Sequence, residues 1–133
     1  MTMQQTFLQE FPMWRRKEIV LVEPDDAFAE FFTEVVRQEP LYALLRVATG
    51  ERALQVVPQL KPDLLIMDFC LPDMTGIEVF EHLHAVDKLT SLPVMLINTD
   101  PSSKQELSCH AFPIATVFDI DSLLQRIEDV LSS

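Results

Sequence analysis

From Lys17 onward, short apolar runs alternate with stretches in which apolar residues recur every three or four positions. The first kind suits buried strands and the second amphipathic helices. Ile19–Val22 is a β-branched run that ends in Glu23. Asp25 or Asp26 can then cap a helix over Ala27–Gln38, where Phe28, Phe31, Phe32, Val35 and Val36 form a stripe of helical period. Pro40 stops that helix, and Tyr42–Ala48 reads as a second strand. Thr49-Gly50 leads into a helix from Glu51 to about Leu60, with Pro58 as a late irregularity. The third strand is Asp63–Asp68, and the helix after Thr75 carries Ile77, Val79, Phe80 and Leu83. Pro93–Asn98 reads as the fourth strand, Ser102–Cys109 as a fourth helix and Ile114–Phe118 as the fifth strand. Asp119 or Asp121 then caps a last amphipathic helix through Leu131.

Such an alternation with short connections predicts an α/β fold, a parallel sheet covered by helices on both faces and joined by right-handed crossovers. Residues 1–17 stand apart as an extension before a single domain over 18–133. They carry Phe7, Leu8, Phe11 and Trp14 at helical spacing, broken by Pro12, and end in Arg15-Arg16-Lys17. A terminus of this kind packs on its own domain or frays; the sharper reading is an apolar arm that docks on a partner or a second copy.

Composition narrows the function classes. At 133 residues with 48% apolar and 23% charged positions, the chain has material for one core. A net charge of −11 argues against contact with nucleic acid phosphates or an anionic membrane surface. The apolar runs are too short to span a bilayer, and the start lacks the order of a secretory signal. Cys70 and Cys109 fall in separate elements, so reduced thiols and a cytoplasmic location are expected. His82 and His84, two apart on a helix, point to different faces and cannot share a metal; a solvated helix surface is their expected setting. His110 falls in an expected loop. With only Gly50 and Gly76 there is no glycine-rich phosphate loop, and no hydrolase triad is visible. Cys70 beside so many acids should be a poor nucleophile, because carboxylates raise a thiol's pKa.

The densest segment is Pro62–Gly76, PDLLIMDFCLPDMTG, in which an unbroken apolar run ends in Asp68. A run like this suits a central parallel strand, and its carboxyl end is where open α/β sheets place their chemistry. With IVLVEPDD, ATGERAL, LPVMLI and FDIDSLLQRI in the same order, Lys17–Leu131 resembles the receiver domain of bacterial two-component response regulators. The resemblance implies a flavodoxin-like (βα)5 sandwich with strand order 2-1-3-4-5 and an active site where strands one, three and four end. It makes Asp68 the phosphoacceptor position. Glu23, Asp68 and the backbone carbonyl of Cys70 become the remaining Mg²⁺ ligands, with Asp25 or Asp26 as a substitute.

Carried over residue by residue, the family pattern is depleted. Pro24 stands at the second metal acid, Asn98 at the Ser/Thr that bonds the phosphoryl group, and Thr116 at the lysine that neutralises it, followed by Val117. Pro113 stands at the aromatic residue that changes rotamer on activation, and no Lys or Arg lies between Ser108 and Leu124. Phosphoryl transfer rests on positioning and on offsetting negative charge. Like charges crowded at the rim (Glu23, Asp25, Asp68, Asp73, Asp100) disfavour adding more. The expected function is therefore a stand-alone, atypical receiver that signals by protein contact without conventional phosphorylation, and not an enzyme. No cofactor is firmly implied. Its expected partners are a histidine kinase or a downstream signalling protein, or a second copy through the face of the fourth helix, fifth strand and fifth helix. The alternatives are a working regulator phosphorylated on Asp68 with Mg²⁺, and a nucleotide- or flavin-binding enzyme on the same fold.

Overall fold

A computed structural model describes residues 16–86, 89–97, 111–114 and 120–132. The first 15 residues, Asn98, Asp100, Cys109, His110, Thr116, Val117, Asp119 and the expected fourth helix over Ser102–Cys109 lie outside them. The elements follow in strict alternation up to the fourth strand: β1 (Lys17–Val22), α1 (Asp26–Arg37), β2 (Tyr42–Val47), α2 (Gly50–Leu60), β3 (Leu64–Asp68), α3 (Gly76–His84) and β4 (Val94–Ile97). After these come β5 (Ala111–Ile114) and α4 (Ile120–Ser132). All strand pairs are parallel, in the order β2-β1-β3-β4-β5, so the fold is the flavodoxin-like sandwich the resemblance implies.

The middle of the sheet is apolar on both faces because period-two alternation sends successive side chains to opposite sides. Val20, Val22, Leu65, Met67, Val94 and Leu96 pack with Ala53 and Val57 of α2 and with Val79, Phe80 and Leu83 of α3. The intervening Ile19, Leu21, Leu64, Ile66, Met95 and Ile97 pack with Ala29, Phe32 and Val36 of α1 and with Leu123 and Ile127 of α4. β3 is buried along its whole length, which is why its sequence runs apolar without a break.

Helix starts are capped as their sequences suggest. Thr49 accepts from Arg52 N at 3.1 Å and Thr75 from Glu78 N at 3.1 Å. Pro58 falls inside α2 near its end, where it removes a single ladder donor. The helix closes on Lys61 in the left-handed region, at φ 52°.

Two expectations need correction. The fifth strand runs over Ala111–Ile114 and so begins three residues before the expected start at Ile114, the rest of the expected strand lying outside the described residues; Val94 pairs with Ala111 and Leu96 with Pro113. Pro113 suggests a strand boundary, but β5 is an edge strand, where a proline's missing N–H can lie on the unpaired side. Pro113 therefore belongs to the ladder itself. Asp121 falls in the first turn of α4 rather than before it, so it is a dipole partner and not the cap.

Candidate functional site

The carboxyl ends of β1 and β3 lie side by side, with Val22 paired to Met67. The next residue of β1's path, Glu23, and the last of β3, Asp68, are both buried, at 1% and 8% exposure. The strands leave no choice in this: parallel pairing brings both exits to one rim, and Glu23 N is held there by Val47 O of β2 at 3.0 Å. The two carboxyls are linked by a side-chain hydrogen bond. Glu23 Oε2 is buried with no hydrogen-bond partner.

The electrostatics follow from that burial. Desolvation pushes the Glu23 carboxyl up to about 8, and the hydrogen bond to Asp68 and the negative charges of Asp68 and Asp25 add to it. Arg46 pulls the other way. At neutral pH the protonated Glu23 therefore donates to Asp68. Asp68 also accepts from Cys70 N at 2.9 Å through Oδ1, an Asx-type bond that starts the following loop. An isolated bridge joins Cys70 to Thr75, and its bonds run from Leu71 N to Met74 O and from Gly76 N to Phe69 O. They do not use the Cys70 carbonyl. Gly76 must be a glycine for this closure, since a Cβ there would stand 2.9 Å from Asp68 O and 3.3 Å from Phe69 Cα.

The other acids of the rim have separate tasks. Asp25 caps α1, its Oδ1 accepting from Ala27 N at 2.9 Å and Phe28 N at 3.2 Å. Asp26 pairs with Arg46 at 2.8 Å. Asp73 reaches across to the start of α2 and accepts from Gly50 N at 2.9 Å and Glu51 N at 2.8 Å. Those two N–H groups hold the Asp73 carboxyl below the usual carboxylate range, with Glu51 the stronger contributor. Among the described residues no three of His, Cys, Asp and Glu converge as a metal site. Of the ligands the resemblance implies, the strand ends bring together the carboxyls of Glu23 and Asp68, to which a hard divalent cation would add waters. Asn98 and Thr116 lie outside the described residues, and Pro113 is placed only by its backbone in β5.

Two residues depart from the sequence reading. Arg46 had no part in it, yet its Nε donates to the Glu23 carbonyl at 2.9 Å while an Nη holds Asp26. The signal was there: Arg46 is the one charged residue in the strand YALLRV. His84 is not on a solvated surface; it stacks on Phe80 at 4.0 Å between ring centroids, and its Nε2 lies 3.1 Å from Leu92 O. His82 is exposed as expected.

The chain is similar in sequence and fold to known proteins. The chain is 25% identical over 120 residues to the polar-differentiation response regulator DivK of Brucella anthropi, covering 86% of this chain and 96% of DivK. It is 35% identical over 85 residues to the DNA-binding response regulator MtrA of Mycolicibacterium smegmatis, covering 64% of this chain but only 36% of MtrA. The receiver domain of a signal transduction histidine kinase from Syntrophus aciditrophicus superposes with a TM-score of 0.77 at 26% identity, over 87% of this chain and 90% of that one. Residues 19–127 match the profile of the response regulator receiver domain, and the chain belongs to that family of two-component signalling domains.

Proposed function

We propose that this receiver passes its signal through protein contacts, without the conventional phosphoryl switch at Asp68. The observation that carries the reading is the state of Asp25. Its Oδ1 accepts from Ala27 N and Phe28 N, which ties the side chain to the start of α1 and speaks against its replacing the acid missing at Pro24. Asp73 is likewise taken up by α2. Glu23 and Asp68 are left facing each other, and their mutual hydrogen bond uses a proton where the family uses a cation. A dianionic phosphoryl group on Asp68 would then gain charge without compensation.

The partners in this reading are a histidine kinase or a downstream signalling protein, with a second copy docking through the face of β5 and the last helix as a further mode. Incubation with acetyl phosphate, or with beryllofluoride and Mg²⁺, tests it by intact mass and amide NMR. No adduct is expected. A stoichiometric adduct on Asp68, with shifts reaching Asn98 and Thr116, would sink it.

A second reading, a working regulator phosphorylated on Asp68, draws on the Cys70 carbonyl, which the loop bridge does not use. It requires Mg²⁺ binding that disappears in Asp68→Asn. Calorimetry at millimolar Mg²⁺ separates the two.

A further inference from the structure

Away from Asp68, a groove of about 450 Å³ follows α4 from Asp121 in its first turn to Ser132 in its last. Its opposite wall is the start of β1 and β2. The floor is apolar, from Leu41, Tyr42, Leu124 and Leu131, and Leu41 remains 42% exposed. Its rim is acidic, from Glu39, Asp121 and Glu128. The acids converge closely enough to act on Tyr42, whose phenol is pushed up by burial first and then by Glu128 and Glu39.

The chain enters the fold at this groove. Lys17, the first residue of β1, is part of its lining. Just upstream come Arg16, Arg15 and Trp14, then Phe11, Leu8 and Phe7. Three residues of extended chain reach about 10 Å and ten reach about 35 Å, whereas the thirteen residues of α4 span about 20 Å. Trp14 and Phe7 can therefore both reach the groove. The charges match as well: two arginines precede Lys17, and three acids line the rim. We propose that this groove is the seat of the chain's own residues 7–14, with Phe11 and Trp14 on the leucines of α4 and Arg15 against its acids. The proposal is independent of how Asp68 behaves.

Trp14 is the single tryptophan of the chain, so its fluorescence reads the seat directly. In the full chain we expect blue-shifted emission and protection from acrylamide, at the mass of one chain by light scattering. Leu131→Asp and, separately, the exposed Glu128→Lys should each shift emission to the red and raise quenching while far-UV circular dichroism is unchanged. Glu128→Lys keeps the test open if the first variant folds poorly. Emission as red as free tryptophanamide in the wild type overturns the proposal, as does blue-shifted emission that neither variant moves. A blue shift lost on dilution together with a dimer would assign the groove to the arm of a second copy and overturn the intramolecular seat.

Discussion

Glu23 shows how one substitution redirects a neighbour. With proline after it and Asp25 turned to the start of α1, the buried Glu23 settles its charge with a proton shared toward Asp68. Its carboxyl is raised from 4.5 to about 8, so the folded state holds a proton that the unfolded state has released. Stability from this group is therefore greatest below about pH 4.5 and falls as pH rises toward about 8, by at most about 1.4 kcal/mol per pH unit. Glu23→Gln keeps the shape and removes the titration. Urea midpoints between pH 5 and 8 should slope downward in the wild type and lose that component in the variant. Part of this was legible: the sequence marks Glu23 and Asp68 as rim acids. It marks Arg46 as the lone charge of its strand but not its partners, because the bonds to the Glu23 carbonyl and to Asp26 join positions 20 or more residues apart.

Helix ends account for two of the rim's acids, Asp25 and Asp73. Asp25 is bound to two backbone N–H groups of α1, and Asp25→Ala should cost about 1 kcal/mol by chemical denaturation. At its other end α2 closes on Lys61 with φ 52°, a conformation unfavourable for any residue with a Cβ. Lys61→Gly should raise stability by about 0.5–1 kcal/mol, the relief of strain outweighing the added freedom of the unfolded chain. Thermal unfolding of the pair measures it. Caps such as Asp25, Thr49 and Thr75 were readable because capping is local chemistry. Asp73 was not, since it caps a helix that begins 23 residues earlier.

Taken whole, the domain depends on β3, the central strand that carries Asp68. Ile66 is fully buried between β1 and β4, and Ile66→Ala should cost about 2–5 kcal/mol. Leu45 on the edge strand β2 is 44% exposed, and its truncation should cost under about 1 kcal/mol, as urea denaturation of both variants would show. Element types and order up to β4 followed from periodicity alone, because burial on one face or two imposes its own repeat on the residues. Family membership was equally legible, since its motifs are short and local. Strand β5 begins three residues before the expected start, with Pro113 taken into its ladder as a sheet edge allows. The sequence by itself thus settled the fold, the strand that bears Asp68, and the loss of the acid at Pro24. Only the tertiary structure decided that Asp73 serves the start of α2 and that Arg46 anchors the β1 exit. Those facts depend on long-range packing, which brings together groups that the linear chain keeps apart.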